Sequence, residues 1–259
     1  MPRPDGCGRA APLEDGPAKD MTALAQSRPA VLTRVDVNDV VPSPRFVVAS
    51  AEQGGRPDPR CVMLHEPASA QARSYRLLRH KLLTGADPRI VAVTSAERGE
   101  GKTTCAINLA LCIAEETLAS VLLLEATSSR PSLTRAFGMA RLHASRAEAV
   151  GEPARTLQHH ALSLSWSRLH VGSASACSRE GAGLDRLLLR VALDELRSAY
   201  DYVVVDTASV LESADADVVC ECADGVLVAT RAGTSRRGPL ERALDQLRPA
   251  TISGVVLLG

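Results

Sequence analysis

The chain has 259 residues, of which 45% are hydrophobic, and its 30 basic and 30 acidic side chains cancel to a formal net charge of zero at pH 7. This length suits one sizeable α/β domain with an extension, or at most two small domains. The balanced charge gives no overall attraction for nucleic acid or an anionic membrane, and aromatic residues, at 2% of the chain, are too scarce for a base-stacking surface. We therefore expect no nucleic-acid partner.

Seven cysteines are scattered along the chain, without the paired CxxC spacing of a zinc site and without a disulfide framework. Cys220 and Cys222 form a CxC pair, which we interpret as packing within a helix or strand, with metal binding as the alternative. The N-terminal sequence MPRPDGCGRAAPLEDG has no apolar run typical of a signal peptide, and no apolar stretch is long enough for a membrane span. These features predict a reducing, cytoplasmic location.

Residues 1–60 differ in composition from the rest of the chain. They are rich in Pro, Gly, Arg and Asp and show no lasting periodicity, which is typical of a largely disordered arm. Within this arm, residues 31–37 and 46–49 could form short strands or a docking segment. We expect one folded domain over residues 61–259.

After residue 67, helical and strand patterns alternate along the chain. Helices are predicted at residues 70–83, 102–117, 184–200, 214–222 and 239–247. Short apolar runs predict strands at residues 89–95, 120–124, 168–171, 202–205, 225–229 and 252–258. Such an alternation predicts an α/β fold of three αβα layers around a mostly parallel sheet. Residues 138–165 receive no assignment, and we interpret their histidines, His143, His159 and His160, as exposed loop residues.

The most informative stretch is AERGEGKTT at residues 96–104, which follows a predicted strand and opens a predicted helix. Its glycines allow successive backbone amides to point at phosphate oxygens, and the positive end of the helix favours the same anion. The stretch matches the phosphate-loop pattern GxxxxGK[ST] except at Ala96, and a chance match in an unrelated loop is the alternative. The predicted nucleotide-binding residues are Gly99, Glu100, Gly101, Lys102, Thr103 and Thr104.

Two acidic residues that follow predicted strands are expected near this loop. Lys102 would reach the β- and γ-phosphates of ATP, while Thr103 and Asp206 would hold Mg²⁺. Asp206 follows the strand at 202–205, and the alternative is a solvated aspartate that caps the next helix. Glu125 follows the strand at 120–124 and is a candidate general base, with an ordinary glutamate at a strand end as the alternative. The predicted catalytic residues are Lys102, Glu125 and Asp206.

Taken in order, these motifs resemble those of the bacterial tyrosine kinases of capsule and exopolysaccharide export, the CpsD/CapB-like group of P-loop NTPases related to MinD and ParA. TSAERGEGKT at 94–103 is similar to the family's TSxxPGEGKS, and LLLEATSSRPSLTRAFG at 122–138 is similar to LLIDADLRRPSLHRLFG. YDYVVVDTASVL at 200–211 resembles YDYVIIDTPPVL, and the final GVVLLG resembles GVVLNG. The resemblance implies a P-loop NTPase fold and phosphoryl transfer from MgATP to tyrosine.

The chain departs from this family pattern at several positions. Glu125 and Thr127 stand where the family has two aspartates, so one carboxylate is lost and the other lies one methylene further out. Leu258 replaces an asparagine that can contact the base in relatives. Three arginines at positions 73, 76 and 79 stand in place of the family's ExxRxxR motif, which leaves self-association open.

The tyrosines form a further departure. Relatives carry a tyrosine-rich tail that is autophosphorylated, whereas the tyrosines of this chain are Tyr75, Tyr200 and Tyr202. Tyr200 and Tyr202 are expected just before and within a strand, and Tyr75 on the helix at 70–83 is the remaining candidate for phosphorylation.

Three functions stay open at this point. The first is an ATP-dependent protein-tyrosine kinase that acts on another protein in polysaccharide export. The second is a nucleotide-binding regulator of the same system without kinase turnover, which Thr127 and the absent tyrosine tail favour. The third is a partitioning or positioning ATPase of the ParA/MinD type, a group with a lysine early in its loop where this chain has Glu97.

The resemblance also implies a partner. Relatives work with a membrane-embedded regulator of polysaccharide chain length, so we expect a cytoplasmic protein that such an adaptor recruits to the inner face of the membrane. Arg231, Arg236 and Arg237 could flank the nucleotide or this partner, or form a solvated basic surface.

Overall fold

The computed structural model describes residues 45–50, 57–85, 87–116, 119–127, 132–137, 158–163, 169–174, 177–179 and 183–259. The chain divides into two compact units, residues 1–39 and 40–259, and every described residue belongs to the second. The expected strand at 31–37 and His143 lie outside the described residues.

The described strands and helices follow one another along the chain in an alternating order. The strands are β1 (Arg45–Ser50), β2 (Ile90–Ser95), β3 (Val121–Ala126), β4 (Gln158–Ser163), β5 (Leu169–Ser173), β6 (Ser178–Arg179), β7 (Gly183–Leu184), β8 (Tyr202–Thr207), β9 (Gly225–Arg231) and β10 (Ile252–Leu258). The helices are α1 (Val62–His65), α2 (Ala70–Thr84), α3 (Lys102–Glu116), α4 (Leu133–Ala136), α5 (Arg186–Ala199), α6 (Ala214–Cys222) and α7 (Arg237–Gln246). The helices and strands predicted after residue 67 are therefore confirmed, with small shifts at their ends.

The main sheet has the strand order β1-β4-β5-β3-β8-β2-β9-β10. Every neighbouring pair in it is parallel except β4 and β5, which are antiparallel. The prediction of a mostly parallel α/β sheet is confirmed. Because β2, β3, β8 and β9 are parallel neighbours at its centre, their carboxyl ends lie together at one edge, where ligands bind in such sheets.

Hydrophobic cores lie on both faces of the sheet, as expected for strands that are buried on both sides. One core packs side chains of α2 and α3 against residues such as Val91, Leu123 and Val204. The other packs α5, α6 and α7 against the alternate residues of the same strands, such as Ala92, Leu122 and Val203. This alternation produces the three αβα layers expected from the sequence.

Two segments differ from the sequence-based interpretation. β4 lies within residues 138–165, which received no assignment, so His159 and His160 occupy a strand and their interpretation as loop residues is wrong. The sequence QHHALS is rich in polar residues, and its pairing with β1 and β5 supplies the strand geometry that its periodicity does not predict. β1 confirms a strand at 46–49, while the domain boundary at residue 61 stays a prediction.

The cysteines, metal sites and helix lengths were also predicted from the sequence. Cys220 is completely buried and Cys222 partly buried on α6, which supports packing for this pair. In the described part of the chain, no group of three or more His, Cys, Asp and Glu side chains is placed to hold a metal ion. None of the helices described is long and apolar enough to cross a bilayer.

Candidate functional site

The connection between β2 and α3 has the backbone of an anion-binding loop. Gly99 and Gly101 have φ angles of 86° and 95°, a region that glycine enters easily, and the intervening Glu100 does not share this sign. Alternation of this kind turns successive N–H groups toward one concave surface. A Cβ atom added at Gly101 would overlap Cδ1 of Leu258, so this glycine is also needed for close packing.

Hydrogen bonds fix the start of this loop and join it to the segment after β8. The Thr94 hydroxyl donates to the Ala208 carbonyl at 2.8 Å, and the Val210 amide donates to the Ser95 carbonyl at 2.9 Å. The amide of Leu211 in turn donates to the Ala96 carbonyl at 3.2 Å. The loop after β2 and the loop after Asp206 therefore form one bonded unit at the carboxyl edge of the sheet.

A cleft of about 540 Å³ opens at this edge. It is lined by Arg60, Arg98, Gly99, Gly101, Lys102, Thr103, Thr104, Thr127, Ser132, Arg135, Asp206, Thr207, Ala208, Ser209, Glu212 and Arg231. The lining contains five basic side chains and two acidic ones. With α3 beginning at Lys102 and carrying no acidic residue in its first turn, the cleft is suited to an anion such as a polyphosphate.

Asp206 lies at the end of β8 with its side chain buried, and its residue is 2% exposed. Burial raises the pKa of Asp206 to about 7, against the opposing effects of a hydrogen bond from Thr103 and the positive charge of Lys102. Its Oδ1 atom is buried without a hydrogen-bond partner among the described residues. A buried carboxylate oxygen in this state, beside a threonine hydroxyl, provides the hard oxygen ligands that Mg²⁺ requires.

Glu125 is the register partner of Asp206 on the neighbouring strand β3 and is 1% exposed. Its Oε1 accepts hydrogen bonds from the Ser132 amide, from the Ser132 hydroxyl at 3.0 Å and from the Leu133 amide at 3.2 Å. Its Oε2 is buried and has no partner within the described residues. One oxygen of Glu125 is thus used to hold the start of α4.

The structure brings most of the predicted site residues together. Lys102, Thr103 and Asp206 line one cleft, together with Gly99, Gly101 and Thr104. The side chains of Glu100 and Glu125 are buried and do not line the cleft. The sequence predicted the positions of both residues near the loop, whereas the directions of their side chains depend on tertiary contacts. The roles assigned to these residues stay predictions.

Arginines of the cleft were largely missed by sequence reasoning. Arg98 adjoins Gly99 in the loop, a signal that could have identified it, whereas Arg60 precedes α1 and Arg135 lies on α4, both far from the loop in sequence. Arg60 is paired with Asp58 at 2.7 Å. The guanidinium groups of Arg98, Arg135 and Arg231 make no hydrogen bond or ion pair among the residues described.

The two other basic residues considered with Arg231 lie elsewhere. Arg236 and Arg237 are exposed and do not line the cleft. Arg237 forms an ion pair with Glu241 at 2.7 Å, one turn further along α7. Only Arg231 of this group is thus placed to meet an anion in the cleft.

The arginines of α2 are used within the chain. Arg76 forms a two-point ion pair with Glu115 of α3, at 2.9 and 2.6 Å. Arg79 donates to the Cys112 carbonyl at 2.8 Å, and Arg73 to the Ala68 carbonyl at 2.7 Å. The contacts of Arg76 and Arg79 attach α2 to α3, whereas that of Arg73 stays at the start of α2, and the question of self-association stays open.

All three tyrosines are buried or partly buried in the folded domain. Tyr75 is 7% exposed, so its interpretation as an accessible acceptor is wrong. Tyr200 is 5% exposed, and its hydroxyl lies 2.8 Å from Nδ1 of His170. Tyr202 is partly buried at the amino end of β8, and its hydroxyl donates to Asp87 at 3.1 Å. No tyrosine of the described residues is placed in the cleft.

Comparison with known proteins gives matches in sequence and in structure. No protein-family model matches the chain. The succinoglycan biosynthesis transport protein ExoP of Rhizobium meliloti is 28% identical over 214 residues, which cover 76% of this chain and 25% of ExoP. The tyrosine-protein kinase YwqD of Bacillus subtilis is 26% identical over 204 residues, which cover 75% of this chain and 83% of YwqD. This chain therefore spans about a quarter of the length of ExoP and most of that of YwqD.

The kinase domain of the Escherichia coli tyrosine kinase ETK superposes on the chain with a TM-score of 0.63 at 20% identity. The superposition covers 83% of this chain and 88% of that domain, and it shows a shared fold. The relationship in sequence and the shared fold agree with the motifs of the phosphate loop and of the strands β3 and β8. The chain is a homologue of bacterial tyrosine-protein kinases, CpsD/CapB-like, with a three-layer αβα P-loop NTPase fold.

Proposed function

We propose that the chain binds MgATP in the cleft at the carboxyl edge of its sheet and transfers the γ-phosphoryl group to a tyrosine of another protein. One observation carries the proposal. Lys102, Gly99 and Gly101 line the same cleft as Asp206, whose buried Oδ1 has no hydrogen-bond partner among the described residues. An ammonium group and converging amides suit phosphate oxygens, and a carboxylate suits the metal that accompanies them. Each part lies on a different element of one cleft.

One group of cleft residues is suited to binding phosphates, and another is suited to binding the metal. Lys102 and the amides around Gly99 and Gly101 would bind the β- and γ-phosphates, with Arg98 and Arg231 adding positive charge. Thr103 and Asp206 would hold Mg²⁺, and when bound this ion neutralises charge on the phosphates. The residues present therefore fit the metal, since Asp206 offers an oxygen that no group within the described residues occupies.

The acceptor is proposed to come from another polypeptide chain. Tyr75 and Tyr200 are buried, and Tyr202 begins β8, at the end of the strand opposite to Asp206. On transfer, the bond from the γ-phosphorus to the bridging oxygen breaks, ADP leaves, and a bond to the tyrosine oxygen forms. Because Glu125 is buried behind the cleft, the hydroxyl proton is proposed to pass to its carboxylate through the hydroxyl of Ser132, which lines the cleft and donates to Glu125 Oε1 at 3.0 Å.

The test is transfer of radiolabel from ATP to tyrosine in a mixture of the pure protein and a tyrosine-containing acceptor protein. The proposal predicts label on tyrosine with the wild-type chain and none with Lys102→Ala. Equal labelling by the two proteins would show that the cleft does not carry the activity. Absence of label from a folded wild-type chain that binds ATP would reject transfer while leaving nucleotide binding in place.

A second function is supported by two observations at β3. Thr127 lines the cleft where related kinases have an aspartate, and one oxygen of Glu125 is occupied at the start of α4. The first removes a negative charge, and the second fixes the position of the carboxylate that remains, so both limit how an acceptor or a metal can be positioned. We therefore infer, as the alternative, a nucleotide-binding regulator of the same export system without turnover.

The two proposed functions predict different effects of placing aspartates at positions 125 and 127, where related kinases have them. The double substitution Glu125→Asp and Thr127→Asp should create labelling activity from a silent wild-type chain if the alternative holds. If the wild-type chain is already active, the same substitutions should change its rate only moderately. A chain that binds no nucleotide in either form would exclude both functions.

Recruitment by a membrane-embedded chain-length regulator remains part of this proposal, as does a cytoplasmic location. The similarity to ExoP, named as a transport protein, supports a role in polysaccharide export. Co-expression with a membrane-embedded chain-length regulator, followed by membrane fractionation, tests it. The protein should move to the membrane fraction only when the regulator is present.

A further inference from the structure

Glu100 combines a backbone that belongs to the phosphate loop with a side chain that leaves it. Its neighbours Gly99 and Gly101 both line the cleft, whereas Glu100 does not and is only 3% exposed. The alternating φ angles around it place its backbone at the centre of the curl. The carboxylate therefore lies on the protein side of the loop.

The carboxylate of Glu100 has a defined partner at the start of the same loop. Its Oε2 accepts a hydrogen bond from the Glu97 amide at 2.8 Å. The carbonyl of Glu97 accepts a second bond from the Ser95 hydroxyl at 2.7 Å. Both backbone groups of Glu97 are thus bonded within the loop, and the chain is fixed immediately before it curls at Gly99.

The charge of this side chain opposes the function proposed for the loop. A buried carboxylate beside an anion site repels phosphate, and burial weakens the screening of that repulsion. The presence of the Glu100 carboxylate despite this repulsion is explained most simply by the hydrogen bond that it accepts from the Glu97 amide. An amide oxygen at the same place would accept that bond without the repulsion.

We propose that Glu100 is a positioning residue, whose side chain sets the curl of the phosphate loop by accepting a hydrogen bond from the Glu97 amide and does not itself touch nucleotide or metal. This inference rests on the proposed nucleotide binding. It leaves unchanged the prediction that Glu100 belongs to the nucleotide-binding loop, to which its backbone amide would contribute. This role requires a hydrogen-bond acceptor on a side chain long enough to meet the Glu97 amide, and it does not require a negative charge.

Three substitutions separate these properties. Glu100→Gln keeps an acceptor of the same reach and removes the charge, whereas Glu100→Asp keeps the charge on a side chain one methylene shorter. Glu100→Ala removes both acceptor and charge. Glu66→Ala, at an exposed position outside the cleft, serves as the matched control.

Two readouts are needed. The first is hydrogen exchange of the Glu97 amide, followed by NMR in the nucleotide-free protein. The second is the Kd for a non-hydrolysable MgATP analogue, measured by calorimetry at a temperature where every variant is folded. A merely structural role would speed exchange at Glu97 or lower Tm without changing the Kd.

The positioning role predicts that Glu100→Ala and Glu100→Asp speed exchange at Glu97 and raise Kd, each about three- to tenfold, which is the range for loss of one hydrogen bond. Glu100→Gln should keep wild-type exchange and bind as tightly as the wild-type chain or more tightly. Glu66→Ala should match the wild type in both readouts.

Other outcomes would overturn the role. Weaker binding by Glu100→Gln with unchanged exchange at Glu97 would mean that the carboxylate contacts the ligand or its metal. Fast exchange in Glu100→Ala with unchanged Kd would mean that the bond does not shape the site. If the wild-type chain bound no MgATP analogue, the proposed function would fail, and the exchange readout would still decide whether Glu100 holds Glu97.

Discussion

At the amino ends of the central strands, polar side chains are paired with one another, whereas at the carboxyl ends several buried oxygen atoms have no hydrogen-bond partner in the described structure. Asp224 illustrates the first arrangement, since it forms a two-point ion pair with Arg197 at 2.8 Å and accepts the Ile90 amide at 2.8 Å. Asp206 and Glu125 illustrate the second, since each has a buried oxygen that no described group occupies. Both edges belong to the same sheet.

This difference indicates that the amino edge of the sheet contributes to folding stability, whereas the carboxyl edge is suited to ligand binding. Satisfied polar groups at the amino edge close the start of β2, β8 and β9 and contribute to folding. Unsatisfied groups at the carboxyl edge reduce stability in the free protein, because burying an unpartnered polar atom is unfavourable. A ligand that supplies the missing partners would recover that free energy on binding. The following substitutions test this division, from the largest expected effect to the smallest.

Asp206→Asn should change the pH dependence of stability. Burial raises the pKa of Asp206 to about 7, so the folded protein favours the protonated form, and the stabilisation present at low pH is lost as the pH rises through 7. Since each pH unit of difference corresponds to about 1.4 kcal/mol, the wild-type chain should lose on the order of a few kcal/mol between about pH 4 and pH 7 and little more above that.

Urea unfolding without metal or nucleotide measures this effect. The Asp206→Asn variant should show a much smaller decline over the same range, because its side chain does not ionise. Parallel declines in the two proteins would mean that Asp206 is ionised and stabilised in the free cleft, contrary to the comparison.

Lys102→Ala should weaken binding and leave folding almost unchanged. Lys102 starts α3 and lines the cleft, and a charge-assisted hydrogen bond to phosphate contributes about 1.5 to 3 kcal/mol. We expect the Kd for MgATP to rise about 10- to 100-fold, measured by calorimetry. The midpoint of urea unfolding for the free protein should stay close to that of the wild type; a large decrease would assign this lysine a structural role.

Asp224→Asn should lower the stability of the protein and leave nucleotide binding unchanged. It weakens the pair with Arg197 and the acceptor for the Ile90 amide, so the free energy of unfolding should fall by about 1 to 3 kcal/mol while the Kd for MgATP stays constant. A change in nucleotide affinity in a folded variant would show that the amino edge is not separate from the site.

Asp224 also predicts a loss of stability in acid. Burial alone would raise the pKa of Asp224, but the hydrogen bonds from Arg197 and Ile90 outweigh it and hold the pKa below its ordinary value. The stabilisation it provides is therefore present above about pH 4 and is lost as the pH falls through the folded pKa. Unfolding followed at decreasing pH should show a smaller acid-induced loss for Asp224→Asn than for the wild type.

Tyr202→Phe should have the smallest effect. It removes a hydroxyl that donates to Asp87 at an exposed position of the amino edge, so we expect a loss of stability below about 1 kcal/mol. Labelling of an added acceptor protein should be unchanged, since Tyr202 lies away from the cleft. Disappearance of label from the chain itself in this variant would identify Tyr202 as an acceptor, which the comparison does not allow.

Much of the fold could be predicted because β2, β3, β8 and β9 are apolar on both faces and alternate with helices. The phosphate loop could be predicted because its glycines and lysine follow one strand directly in sequence. The remaining parts of the cleft could not be predicted, because Arg60, which precedes α1, and Arg135, on α4, reach it from positions far apart in the chain. The carboxylates of Glu100 and Glu125 are buried behind the cleft lining, where they accept hydrogen bonds from the amides of Glu97, Ser132 and Leu133, and no sequence pattern reveals these bonds.

The central claim is that the carboxyl edge of the sheet binds a polyphosphate through the loop between β2 and α3. Amide chemical shifts recorded while MgATP is added test it most directly, since they report both edges of the sheet at once. The account predicts large shifts for Gly99, Gly101 and Lys102 and almost none for Arg89 and Ile90 at the amino edge. Unchanged loop amides at saturating nucleotide, or shifts confined to the amino edge, would contradict it.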